Sequence, residues 1–124
     1  MILLEYISKH SGGMRMLTHV RKKDVLLVRL EGELDQCSAS GIRRDLDMLL
    51  QDQRIKHLVL DMEKMPFMDS SGIGVILGRY RQLLLRGGTV SLMHLSPQVK
   101  RIYELSGMRQ IIALMDEKED AGCV

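Results

Sequence analysis

The densest run of chemistry-bearing residues in this chain is Met68-Asp69-Ser70-Ser71-Gly72-Ile73-Gly74-Val75-Ile76-Leu77-Gly78-Arg79-Tyr80. It follows a short apolar run and opens a helical pattern. A helix start points unpaired backbone N–H groups outward at the positive end of the dipole, where an anion is favoured. Three chemistries suit such a place. A dinucleotide fingerprint needs GxGxxG and an acidic residue about 20 positions on. Here Gly72, Gly74 and Gly78 spell GxGxxxG, and no Asp or Glu occurs from Ser70 to Tyr103. A serine nucleophile at Ser70 or Ser71 needs a base and an oxyanion hole. GxSxG is absent, because Phe67-Met68-Asp69 stands ahead of Ser70. The third chemistry is modification. A phosphoryl group on a serine here adds about −1.5 to −2 charges at neutral pH and three strong acceptors. The helix end tolerates it, while Asp69 next door crowds it with like charge, so a partner burying this spot is penalised.

Ser or Asp ahead of a helix is ordinarily a simple N-cap. The glycines add a second signal. Each costs about 0.5–1 kcal/mol relative to Ala inside a helix. Three between Gly72 and Gly78 predict close approach by another backbone, from the sheet beneath or a partner above.

The surrounding elements follow from periodicity. Residues 15–21 and Val25–Glu31 read as two strands joined at Lys22-Lys23-Asp24, and the spacing predicts a hairpin. Gly32-Glu33-Leu34-Asp35 breaks the run. Ala39, Ile42, Leu46, Leu49 and Leu50 then share one helix face, capped by Ser38 or Asp35, opposite Arg43, Arg44, Asp47 and Gln51. His57–Met62 is a strand, and Glu63–Asp69 a loop marked by Pro66. The helix Ser70–Arg86 turns Ile73, Ile76, Leu77, Tyr80, Leu83 and Leu84 inward and stops at Gly87-Gly88. Thr89–Leu95 is a strand. Ser96-Pro97 starts a helix with Val99, Ile102, Tyr103 and Leu105 on its apolar face, ended by Gly107, and Ile111–Met115 is a last strand. The order β-β-α-β-α-β-α-β predicts a single α/β domain with a mixed, mostly parallel sheet. The domain spans residues 14–116, between an N-terminal tail at 1–13 and an acidic tail at 117–124.

Composition narrows the classes. The chain has 124 residues, 45% of them hydrophobic, with one Phe, no Trp and ten Met, so its core is aliphatic. Its net charge of +2 gives no bulk attraction for nucleic acid. That total is a cancellation: residues 25–69 carry six basic and nine acidic residues, residues 70–103 five basic and none acidic. The basic block, with Arg79, Arg81 and Arg86, reads either as a solvated helix face or as one side of a partner surface. Cys37 and Cys123 form no ligand or redox spacing and read as a small core residue and a tail thiol. His10, His19, His57 and His94 are scattered, so no metal and no cofactor is expected. No apolar run reaches the roughly 18 residues of a membrane span, and a cytoplasmic protein is expected.

Three blocks together resemble a family. They are Gly32-Glu33-Leu34-Asp35, then Phe67-Met68-Asp69-Ser70-Ser71-Gly72 running into Gly74–Tyr80, and Ser96-Pro97 with Val99-Lys100-Arg101 and Ser106-Gly107. The chain resembles a STAS-domain anti-sigma factor antagonist of the stage-two sporulation AA type, over about residues 16–115. The resemblance implies a STAS-like fold and a substrate and switch rather than an enzyme, with no catalytic residues. It places phosphorylation on Ser70, framed by Asp35, Asp69, Ser71 and Gly72, and partner contact on Asp35, Ile73 and Gly74. The partners implied are an anti-sigma factor with serine kinase activity, a phosphatase acting on phosphorylated Ser70, and a sigma factor only indirectly, with neither nucleic acid nor membrane. The family continues past the last strand with another helix, whereas this chain ends soon after Asp116–Asp120. Two other readings stay open: a STAS module of another partner-switching pathway such as general stress control, and a small nucleotide-binding or hydrolysing protein using the Gly72–Gly78 loop.

Overall fold

Apolar alternation decides how the sheet is assembled. The computed structural model describes residues 8–9 and 16–115. The tails at 1–13 and 117–124, with Cys123, lie outside the described residues except for Ser8–Lys9. Strands β2 (Met16–Lys22) and β3 (Val25–Leu34) form an antiparallel hairpin whose two-residue turn places Lys23 at φ 56°. Positive φ matches hairpin turns to strand twist. A short edge strand β1 (Ser8–Lys9) pairs antiparallel with β2, Ser8 opposite Leu17. Beyond the hairpin, β4 (His57–Met68), β5 (Thr89–Met93) and β6 (Ala113–Met115) add in parallel, giving the order β1-β2-β3-β4-β5-β6. Helices α1 (Ala39–Leu49), α2 (Ser70–Leu84) and α3 (Pro97–Leu105) make the crossovers, as the βαβ pattern predicts. A 3-10 turn at Met108–Gln110 delays β6 by two residues from the expected start.

Period two sorts the sheet into faces. Leu26, Val28 and Leu30 of β3, Leu58 and Leu60 of β4, and Val90 and Leu92 of β5 are buried and in register, forming the core with Ile42, Leu46, Leu50, Val75, Ile76 and Leu83 of the helical layer. Their alternates, including Val25, Leu27 and Val59, are only half-buried. The helical layer therefore covers one face of the central strands.

Burial differs from the expected pattern at several positions. On α2 the buried stripe is Gly72, Val75, Ile76, Arg79 and Leu83, while Leu84 is 54% exposed. Leu105 of α3 is also exposed. Cys37 is exposed, and the buried position beside it belongs to Ser38. For Leu84 and Cys37 the residue one position away, Leu83 or Ser38, points inward instead, so apolar identity alone does not decide which residue is buried.

Both expected breaks sit inside strands. Gly32 takes φ 105° at an irregularity of β3, which then continues to Leu34. Pro66 lies within β4, which continues to Met68. Pairing resumes as Glu31 opposite Lys64, Glu33 opposite Phe67 and Leu34 opposite Met68. Glycine is needed for the positive φ of this bulge. The proline is tolerated because β5 pairs only up to Asp61 opposite Met93, leaving that side of β4 without a strand.

Candidate functional site

Those two extensions build the site. β3 and β4 end level, so Asp35 and Asp69 follow Leu34 and Met68 at the carboxyl edge of neighbouring parallel strands. Ligand and partner sites in parallel sheets collect at this edge. The Asp69 N–H donates to the Leu34 carbonyl at 3.1 Å, which locks the two strand ends together. Asp35, remote in sequence, is thereby brought level with Asp69, the residue before Ser70.

Asp69 is the N-cap of α2. Its backbone is extended, and its carboxylate accepts the Ser71 N–H at 2.8 Å. Its carbonyl accepts the Gly72 N–H at 3.0 Å. Ser71 is half-buried and held by this bond, whereas Ser70 is exposed at the first helical position. The cap acceptor is therefore supplied by Asp69, and the Ser70 side chain is left to face outward.

Asp35 holds the turn that leads into α1, whose N-cap position is Ser38. Its carboxylate accepts the Cys37 and Ser38 N–H groups, each at 3.0 Å, and its carbonyl accepts the Ala39 N–H at 2.9 Å. Ser38, the other candidate cap, makes no cap bond; its hydroxyl donates back to the Glu33 carbonyl at 2.8 Å. Both carboxylates are thus fixed by backbone N–H groups just after them, and both aspartates are half-buried.

The glycines divide. A Cβ on Gly72 would meet Met68 Cγ at 2.2 Å and Leu34 Cγ at 2.9 Å, so this position is closed by side chains of the strand ends. A Cβ on Gly74 or Gly78 would meet nothing within 4 Å. The close approach expected from within the chain is real only at Gly72, and it comes from side chains. Gly74 is exposed one turn above Ser70, and Ile73 beside it is half-buried against the core.

The basic block separates too. Arg79 is only 8% exposed, and its Nε lies 3.1 Å from Asp47 Oδ1 on α1. Burial lowers its pKa, Asp47 raises it and Arg43 lowers it further. Arg86 is half-buried and donates to the carbonyls of Leu50, Asp52 and Ile55 at 2.9, 3.2 and 3.1 Å, closing the end of α1. Only Arg81 of the three named arginines is exposed. Arg79 and Arg86 are therefore engaged in contacts within the fold.

Two groups escaped the sequence reading. Gln98 on α3 spans the Met68 backbone: Oε1 accepts its N–H and Nε2 donates to its carbonyl, both at 3.0 Å. No local signal marks a glutamine for this. The second group is Asp61, Glu63 and His94, whose ligand-type atoms lie within 4.8 Å of one another. Asp61 is buried and accepts from His94 Nδ1 at 3.0 Å, the Glu63 N–H at 3.0 Å and Arg29 Nε at 3.3 Å. Its oxygens are committed to these donors. The cluster reads as a tie between β3, β4 and the end of β5.

Comparison with known proteins agrees with this architecture. The STAS domain family model matches residues 16–121. The chain is 38% identical over 99 residues to the anti-sigma F factor antagonist of Paenibacillus polymyxa, covering 80% of this chain and 85% of that one. It is 29% identical over 92 residues to the anti-sigma-B factor antagonist of Bacillus subtilis strain 168, covering 74% and 83%. The anti-sigma factor antagonist SpoIIAA in its unphosphorylated form superposes with a TM-score of 0.72 at 28% identity, covering 85% of this chain and 92% of that one. The Bacillus cell fate determinant SpoIIAA in the phosphorylated form gives 0.66 at 27% identity, covering 86% and 96%. The chain belongs to the STAS-domain family, in its branch of anti-sigma factor antagonists. These are regulatory binding proteins rather than known enzymes. Among the described residues no helix is long and apolar enough to cross a membrane.

Proposed function

We propose that this chain is a phosphorylation-controlled antagonist that works in the cytoplasm. Unmodified, it binds an anti-sigma factor that is also a serine kinase, and the sigma factor is freed. The kinase then modifies Ser70. The Ser70 Oγ attacks the terminal phosphorus of ATP, the bond to the bridging oxygen breaks, ADP leaves and the hydroxyl proton passes to a base of the kinase. A phosphatase hydrolyses the serine phosphate and restores binding. Asp35, Asp69, Ser71 and Gly72 frame the serine, and Asp35, Ile73 and Gly74 belong to the docking face.

One observation carries the reading: Ser70 is an exposed hydroxyl at a helix start whose cap is already Asp69. A phosphoryl group there does not disturb the cap. It adds negative charge beside Asp35 and Asp69, on the surface a partner must bury. The likeness to an anti-sigma F factor antagonist supports a role in sporulation. The likeness to an anti-sigma-B factor antagonist supports a second reading, a general stress pathway using the same switch.

The test is intact-mass measurement after incubation with ATP and the cognate anti-sigma kinase. One phosphate on the wild-type chain and none on Ser70→Ala is expected; phosphate on Ser70→Ala would sink the assignment. Steady nucleotide turnover by the isolated chain would favour a nucleotide-hydrolysing protein instead.

A further inference from the structure

Backbone groups along a strand point alternately to its two sides. At the end of β4 the Asp69 N–H faces β3 and is taken by the Leu34 carbonyl. The N–H and carbonyl of Met68 therefore face the other side. There β5 has already stopped, its pairing with β4 ending at Asp61 opposite Met93. Met68 is fully buried, so both of its polar groups need protein partners. Gln98 supplies them, with one 3.0 Å bond to each. A primary amide presents a donor and an acceptor side by side, as a neighbouring strand would. Gln98 lies in the first turn of α3, which is itself moored nearby: the Ser96 hydroxyl donates to the Pro66 carbonyl at 3.0 Å and accepts the Val99 N–H at 3.2 Å. The segment leading into Ser70 is thus gripped from β3 on one side and from α3 on the other.

We infer that Gln98 is a positioning residue for phosphoryl acceptance at Ser70: its amide holds the Met68 backbone, and through it the serine hydroxyl, where the kinase's ATP can reach it. The inference rests on the reading of Ser70 as the phosphorylated residue. Phosphoryl transfer depends chiefly on alignment of the attacking oxygen with the leaving oxygen, so looser backbone ahead of Ser70 slows the chemical step. The docking face on the exposed side of α2 is untouched by Gln98.

The experiment is steady-state phosphorylation of the full chain by the anti-sigma kinase, with kcat and KM separated. Gln98→Met keeps length and bulk but makes neither bond. Its kcat is expected to fall about tenfold, with KM within about twofold of wild type. Gln98→Glu keeps an acceptor for the Met68 N–H, loses the donor, and is expected in between. Tyr103→Phe is the structural comparator. It removes the bond from the Tyr103 hydroxyl to the Ile112 carbonyl and loosens α3 without touching the β4 segment, and a merely destabilised chain raises apparent KM through its unfolded fraction while kcat holds. Amide hydrogen exchange of the isolated variants gives an independent readout: exchange at Asp69–Ser71 is expected to quicken in Gln98→Met more than in Tyr103→Phe. Wild-type kcat in both Gln98 variants would overturn the inference while Ser70 remains the acceptor. Absence of phosphate on wild-type Ser70 would overturn the underlying reading first, and the inference with it.

Discussion

At Ser70 the important fact is a division of labour with its neighbour. Asp69 caps α2, and Ser70 is free at the surface. Replacing Asp69 by Ala removes the cap and is expected to cost about 1 kcal/mol of stability. Replacing Ser70 by Asp adds a negative charge that the helix dipole tolerates. Its Tm is expected within about 2 °C of wild type, while kinase binding weakens at least about tenfold. Thermal melts and a calorimetric titration check both halves, and undiminished affinity would refute the switch. The sequence motif singled out this stretch but left the roles of Asp69 and Ser70 undivided, because either residue type caps a helix.

At the scale of an element, α2 carries two kinds of glycine. Gly72 is closed by Met68 and Leu34, and an added methyl there forces those core side chains apart. Gly72→Ala is expected to lose about 1–3 kcal/mol. Gly74 opens onto empty space, and Gly74→Ala relieves helix entropy, with a gain of about 0.5–1 kcal/mol. Urea unfolding distinguishes the two by sign. Gly74→Leu carries the idea to function: it is expected to melt no lower than wild type yet to bind the proposed kinase more weakly, because the partner would meet a side chain where the helix is bare. Periodicity showed that α2 exists and where it starts. It put Leu84 inward and treated Arg79 as a surface charge, because a charged residue is ordinarily exposed. Asp47 on α1 reverses that preference by lying beside the guanidinium.

At the scale of the molecule, charge cancels in space as well as in sequence. The Arg29–Asp61–His94 tie joins β3, β4 and the end of β5 on the side of the sheet away from the main core. Burial raises the pKa of Asp61, but the bonds from His94 and the Glu63 N–H, with the nearby charges of His94 and Arg29, outweigh it, and the net shift is downward. A depressed carboxylate stabilises the fold fully above its ordinary value of 3.8 and loses that contribution as pH falls below it. Wild-type stability in urea is therefore expected to decline on acidification below about pH 4, and Asp61→Asn to show a shallower decline over the same range. Parallel slopes in the two proteins would exclude Asp61 as the source.

The sequence by itself determined the order and type of the main elements, the aliphatic core and the helix start at which the switch is proposed. These are local properties, written in period and in cap residues. The tertiary structure decided which distant residues meet. Gly32 and Pro66 read as breaks because both disfavour strands on average. In the fold they are a bulge and an unpaired flank, and the strands run through them to bring Asp35 level with Asp69. Gln98 on Met68 and Asp47 on Arg79 follow the same logic. Each pairing depends on register and on which backbone or charge is left without a partner. Those quantities arise only when the strands and helices have packed, so no local pattern can encode them.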